Sequence, residues 1–124
     1  LTVRPVVGAI RDPHLGRYWA PGALETLTFP APPSRDYPGI IVVFSAAMDP
    51  VSVSADLSIA AGSPALGPKA VHPRWNAAFT ELTLDLHGLD SGATYRFRIK
   101  GGPGEARDVN GNCLKEDYRQ YIRF

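Results

Sequence analysis

The chain offers few side chains whose types and spacing could support catalysis. Its three histidines, His14, His72 and His87, are far apart, and none forms a His-x-His or His-x-x-x-His pair that would present two zinc ligands from one element. The single cysteine, Cys113, has no pair of basic neighbours that would activate its thiol. The segment from Gly88 to Gly92 places its serine one position too late for a Gly-x-Ser-x-Gly nucleophile elbow. We therefore predict no catalytic residue and no cofactor.

Asp108 begins the segment DVNGN, which has oxygen-bearing side chains at the first, third and fifth positions of a calcium-binding loop. The rest of such a loop is missing, because Cys113 stands where the sharp turn needs glycine and Arg119 stands where a bidentate glutamate is needed. Asn-Gly is the preferred pair for a type I′ hairpin turn, and an aspartate can bond its own backbone. We therefore predict a hairpin turn that depends on Asp108, Gly111 and Asn112, with calcium binding as the alternative and no metal site as the expectation.

Two candidate contact surfaces remain, and the first is the pair Tyr18 and Trp19 in a proline-rich stretch that we expect to be a loop. Exposed aromatic rings stack on sugar rings or dock a partner. The alternative, which we favour, is that Trp19 folds back and covers one end of the core. Trp75 follows Arg74 on an apparent strand and is predicted to be a core residue.

The second candidate surface lies on two alternating segments near the C-terminus. If their strands are neighbours, their outward side chains share one sheet face, namely Arg96, Arg98, Lys100, Arg119, Tyr121 and Arg123. Five of the 13 basic residues would then stand together. Like charges on paired strands repel each other, so either loop carboxylates and solvent balance them, or the face meets an acidic partner such as an adjacent domain or an anionic cell-wall polymer.

Short runs separated by turn formers predict about seven strands to carry these residues. They are Val3–Ile10, Gly39–Phe44, Leu57–Ala60, Val71–Trp75, the alternating leucines 82–86, Tyr95–Ile99 and Tyr118–Phe124. Asp49 followed by Pro50 predicts one short helical turn. Because no segment sustains a helical period, we predict an all-β, antiparallel sandwich, with a first strand and a long Pro-rich loop in residues 1–38.

Leu89, Gly92 and Tyr95 have the Leu-x-x-Gly-x-x-Tyr spacing of a tyrosine corner. In such a corner the glycine adopts a positive φ, the leucine fills the core, and the tyrosine hydroxyl bonds backward to the main chain. The alternative is an ordinary core tyrosine after a turn.

Three segments, in order, carry a family resemblance. IVVFSAAMDP at 41–50 with the following Val53, the strand from Leu89 to Ile99, and DVNGNCL at 108–114 resemble the bacterial Ig-like domains typified by the S-layer protein SbsA. The resemblance is best over residues 39–124. Ala47 stands where the family often has proline, and residues 11–38 are longer than its usual first connection.

This resemblance implies a non-catalytic Ig-like module of a bacterial secreted or cell-surface protein, acting as a spacer or docking domain beside neighbouring domains of the same chain. The location it implies is extracellular or cell-surface. The alternative is a carbohydrate- or cell-wall-binding accessory module of a secreted enzyme. Because the chain opens at Leu1 and its only methionine is Met48, we interpret it as one piece of a longer protein.

Composition supports one ordinary domain and excludes two classes of partner. The 124 residues suffice for a single core without disulfides. A net charge of +1 argues against a nucleic-acid partner. No apolar run approaches the roughly 18 residues that would span a bilayer, so we expect no membrane insertion.

Overall fold

A computed structural model of the protein describes residues 4–12, 17–19, 26–28, 39–60, 73–86 and 94–123. Nine strands and one helix lie in these ranges: β1 (Val7–Asp12), β2 (Arg17–Trp19), β3 (Thr26–Thr28), β4 (Gly39–Phe44), α1 (Pro50–Asp56), β5 (Leu57–Ala60), β6 (Arg74–Trp75), β7 (Glu81–Asp85), β8 (Thr94–Ile99) and β9 (Tyr118–Arg123).

The strands form two facing sheets. The first has five strands in the order β2-β1-β4-β7-β6, and the second has four in the order β3-β9-β8-β5. Neighbouring strands are antiparallel except for β3 and β9, which run parallel. The predicted Ig-like β-sandwich is therefore confirmed, and all seven predicted strands are present as β1 and β4 to β9.

Two strands lie in the segment that was expected to be loop. β2 and β3 have three residues each and extend the two sheets beyond β1 and β9. Short outer strands are compatible with a proline-rich sequence, because only one side of an edge strand needs hydrogen-bond donors. The prediction that Tyr18 and Trp19 lie in a loop is wrong: both belong to β2, in register with Arg11 and Ile10 of β1.

Alternation along the central strands builds the core between the sheets. Val42, Leu84 and Ile99 have no exposed surface, and Phe97 packs edge-on against Tyr118 with ring centroids 5.9 Å apart. Large apolar side chains of this kind each contribute about 1.5–3 kcal/mol when buried. Trp75 is half-buried and packs against this core, where its ring stacks on Phe44 at 5.6 Å.

The helix α1 begins as its sequence predicts. The carboxylate of Asp49 accepts a hydrogen bond from the Val51 amide at 3.2 Å, and Pro50 occupies the first turn. Inside the helix, the buried Ser52 hydroxyl donates to the Asp49 carbonyl at 2.9 Å and accepts from the Arg107 amide at 3.1 Å.

Two of the family-like segments contact each other directly. Met48 and Asp108 form an isolated antiparallel bridge. Around it, the Asp49 amide donates to the Arg107 carbonyl at 2.9 Å, and the Val109 amide donates to the Ala47 carbonyl at 3.0 Å. The backbone of each segment therefore supplies hydrogen-bond partners for the other.

β1 and β9 begin at the same end of the sandwich. The amide of Lys115, just before β9, donates to the carbonyl of Pro5, just before β1, at 3.0 Å. Both strands run away from this contact toward the opposite end.

Candidate functional site

The outer face of the four-stranded sheet gathers the basic residues that the sequence predicts to lie together. β8 and β9 are neighbours, with Arg98 opposite Arg119 and Arg96 opposite Tyr121. Burial alternates strictly along both strands, so that Phe97 and Ile122 face the core at 1% exposure. The opposite face therefore carries Arg96, Arg98, Arg119, Tyr121 and Arg123, and we call these five residues the arginine face.

Asp117 neutralises the repulsion between the two arginines that face each other across the strands. Its Oδ2 accepts from Arg98 Nε at 3.2 Å and from Arg119 Nη2 at 3.2 Å, while its Oδ1 accepts from the Gly101 amide at 2.8 Å. The Gly101 amide and the Arg98 guanidinium together hold the pKa of Asp117 well below its ordinary value, at about 2. The carboxylate therefore stays ionised and fixes both arginines.

Sequence reasoning missed Asp117, although it anticipated that loop carboxylates could balance this face. The residue precedes β9 and has no motif of its own. Its position one residue before Tyr118, the first residue of the predicted strand, was the available signal.

A depression of about 590 Å³ opens on the arginine face. The short side chains of Ser58 and Ala60 on β5 lie in register with Arg98 and Arg96 and leave this space beside the longer arginines. Tyr121 borders the depression and is 38% exposed. The site thus combines cationic groups, an accessible aromatic ring and room for a small polar group.

Lys100, the remaining member of the predicted basic face, follows β8 and belongs to a different environment. It is exposed, and its amide donates to the Asp56 carbonyl at 3.2 Å. Asp56 and Glu105 lie together here. Burial, a hydrogen bond with Glu105 and repulsion from its charge raise the pKa of Asp56 to about 6, and Lys100 opposes this rise.

This acidic pair predicts a pH dependence of stability. The folded-state pKa of Asp56 exceeds its ordinary value of 3.8, so between about pH 4 and pH 6 the folded state holds a proton that the unfolded chain has released. The contribution of Asp56 to the free energy of unfolding therefore falls as pH rises through this window. We expect Glu105→Gln to reduce the loss of melting temperature between pH 4.5 and pH 7, while Glu116→Gln, at an exposed position, leaves it unchanged. Identical pH profiles for wild type and Glu105→Gln would contradict this account.

The predicted tyrosine corner lies mostly outside the described residues, since Leu89 and Gly92 do so. Tyr95 is 5% exposed and belongs to the core. The corner stays a prediction, and Tyr95→Phe tests it. We expect a loss of about 1–3 kcal/mol in urea denaturation, because a buried main-chain partner would lose its hydrogen bond. A neutral substitution would mean an ordinary core tyrosine.

The turn at Asp108 forms, but not in the predicted geometry. The Gly111 amide donates to the Asp108 carbonyl at 3.1 Å, and the Asp108 amide donates to the Asn112 carbonyl at 2.9 Å. Gly111 has a φ of 87°, whereas Asn110 is not in the left-handed region that a type I′ turn requires. The loop is therefore a type I turn followed by a left-handed glycine, and the type I′ prediction is wrong.

The Asp108 carboxylate explains this shift of the turn by one residue. It is 4% exposed. Its Oδ1 accepts from the amides of Asn110 at 3.0 Å and Asn112 at 2.8 Å, and its Oδ2 accepts from the Asn112 side chain at 3.1 Å. These bonds centre the turn on Val109 and Asn110.

We expect Gly111→Val to destabilise the protein by about 1–3 kcal/mol, because a β-branched residue is strained at positive φ.

The melting temperature of wild type should not respond to calcium, since N–H donors already occupy the Asp108 oxygens. A calcium-dependent rise would reverse the choice of turn over metal site.

The other residues considered for chemistry form no site in the part of the chain that the structure describes. Cys113 is a free, half-buried cysteine. No three of the described histidine, cysteine, aspartate and glutamate residues are grouped so that they could hold a metal ion. His14, His72 and His87 lie outside the described residues, as do the side chains of Tyr18 and Trp19. Among the described helices, none has the length and apolar character to cross a membrane.

Two facing sheets closed by the contact between the Met48 and Asp108 segments define an Ig-like domain. The family model of the bacterial Ig-like domain matches residues 26–124, and the chain belongs to this family. The crystal structure of the S-layer protein rSbsC(31-844) has a similar fold, with a TM-score of 0.56 and 14% sequence identity over 98% of this chain. The chain spans 14% of that protein's length. No curated protein matches the sequence.

Proposed function

We propose that this chain is a non-catalytic module of a bacterial surface protein and acts as a docking domain as well as a spacer. Its membership of the bacterial Ig-like family and its likeness to part of an S-layer protein support a surface location. The observation that carries the docking role is the arginine face, where Asp117 holds Arg98 and Arg119 in a fixed arrangement. A spacer alone would not need an ordered array of like charges on paired strands.

A domain exchange in the protein that carries this chain distinguishes docking from spacing. Residues 1–124 are replaced by an Ig-like domain of similar length with a neutral outer sheet, and retention of the parent protein at the cell surface is measured. We expect the exchanged protein to be lost from the surface although it is folded and exported. Full retention would reduce the role to a spacer, and a hydrolytic activity of the isolated chain would contradict the non-catalytic assignment.

A second candidate is a carbohydrate-binding accessory module of a secreted enzyme. The exposed Tyr121 ring at the depression favours it, because aromatic rings offer flat apolar surfaces to sugars. Exchange of the domain in an enzyme that carries it would then lower activity on insoluble substrate and leave activity on soluble substrate unchanged.

A further inference from the structure

We propose that the arginine face binds an anionic polysaccharide, with Arg96 and Arg123 pairing with acidic groups of the polymer and Tyr121 stacking on a sugar ring. This deepens the docking role and rests on it in one respect, namely that the face meets polymers outside the cell.

Charge is distributed unevenly over a nearly neutral chain. The arginine face holds four of the 13 basic residues, and Asp117, bound between two of them, is one of the 12 acidic residues. The face therefore carries +3, and the remainder of the chain carries −2, which together give the net charge of +1. A concentrated positive field of this kind attracts a polyanion and orients it toward one sheet.

The four arginines form two pairs that differ in whether they bind a carboxylate of the chain. Arg98 and Arg119 both donate to Asp117, which holds them in place. Arg96 and Arg123 are exposed and have no carboxylate partner among the described residues. Their guanidinium groups are therefore available for bidentate contacts with carboxylate or phosphate.

Tyr121 stands in the middle of these charges. Arg96 lies directly opposite it on β8, while Arg119 and Arg123 lie two residues away on either side along β9. Residues two apart on a strand are separated by roughly 6.7 Å, and neighbouring strands by about 4.8 Å. The Tyr121 ring therefore has an arginine on each of three sides. Acidic groups spaced as they are along a sugar polymer could pair with these arginines.

The exposed Tyr121 ring favours a sugar polymer over an acidic protein as the partner of the arginine face. An acidic peptide would use the arginines but would gain little from a half-exposed ring beside a depression that Ser58 and Ala60 help to line. A sugar ring presents an apolar face to Tyr121 and its hydroxyl groups to the depression. A sugar that bears acidic groups uses the charges and the ring together.

Affinity electrophoresis of the 124-residue chain with four immobilised polymers tests whether the arginine face binds an anionic polysaccharide. Polygalacturonate supplies sugar carboxylates, a sugar-substituted teichoic acid supplies phosphodiesters, dextran is a neutral sugar polymer, and polyglutamate is an acidic peptide. We expect retardation by at least one of the first two, which identifies the acidic group, and none by dextran. Binding should weaken steeply between low and physiological salt.

Variants separate charge from stacking. The double variant Arg96→Gln/Arg123→Gln should weaken binding to the anionic sugar polymer by about tenfold or more. The matched control Arg74→Gln, an exposed arginine on β6 of the other sheet, should bind as wild type does. Tyr121→Ala should weaken binding to the sugar polymer while leaving any weak binding to polyglutamate unchanged. Thermal unfolding checks that each variant is folded.

Three results would overturn the proposal. One is absence of binding to both anionic sugar polymers at low salt. Another is binding that the arginine pair does not affect. The third is stronger binding to polyglutamate with no effect of Tyr121→Ala, which would identify an acidic protein partner instead. Each of these leaves the domain-exchange result intact, so that failure of this inference and failure of the docking role are distinguishable.

Discussion

Gly101→Ala is expected to destabilise the protein by about 3 kcal/mol or more, because the new methyl group would overlap rigid backbone. A Cβ at this position would lie 2.3 Å from the Glu116 carbonyl oxygen and 3.0 Å from the Asp117 amide nitrogen. The backbone just after β8 lies close against the backbone just before β9 here, and the Gly101 amide also donates to Asp117. Relief of the overlap would therefore also disturb the carboxylate that holds Arg98 and Arg119. Urea denaturation measures the loss.

Gly8→Ala is the matched control for this prediction. Its added Cβ would lie 3.5 Å from the Val43 carbonyl oxygen, an ordinary van der Waals contact. We expect a change within about 0.5 kcal/mol, as for most substitutions at exposed positions. Equal stability of Gly101→Ala and Gly8→Ala would contradict the close approach of the backbone at Gly101.

Asp108→Ala is expected to cost about 3 kcal/mol, since it leaves three hydrogen-bond donors without their partner in a buried position. The donors are two backbone amides and the Asn112 side chain. Because Asp108 also bridges to Met48, the loss should reach the beginning of α1. Hydrogen-exchange measurements should show faster exchange of the Asp49 and Val109 amides. Thermal unfolding should show a lower melting temperature.

Two variants separate the possible causes. Asp108→Asn retains one acceptor oxygen and should be intermediate in stability. Asn110→Ala removes an exposed side chain whose backbone amide still donates to Asp108, and it should be close to wild type. A near-neutral Asp108→Ala would contradict the role assigned to this carboxylate.

Strands with long alternating patterns were predictable from the sequence, and strands defined by their neighbours were not. β8 and β9 each alternate over six residues, so their inward and outward faces follow from the sequence alone. β2 and β3 are too short for a period to be recognised, and pairing with β1 and β9 defines them. The proline content correctly indicated that the strands in this segment are short. It did not indicate that β2 pairs with β1 or that β3 pairs with β9.

The arginine face was predictable in outline because it depends on alternation and on the adjacency of two consecutive strands. The role of Asp117 and the depression were not predictable, since both depend on side chains brought together across strands. The turn at Asp108 shows the same limit. The Asn-Gly pair indicates a hairpin, but the bonds to the Asp108 carboxylate decide which residues occupy its centre.

The shared starting end of β1 and β9 has a mechanical consequence. Since both strands run away from the contact between Pro5 and Lys115, Val7 and Arg123 lie toward opposite ends of the sandwich. Tension applied between these two residues pulls β1 lengthwise along β4 and β9 lengthwise along β8. The hydrogen bonds of an antiparallel pair are perpendicular to the strands, so this load shears many of them at once instead of peeling them apart one by one. Force applied along the sandwich in this way therefore meets the shear resistance of two strand pairs.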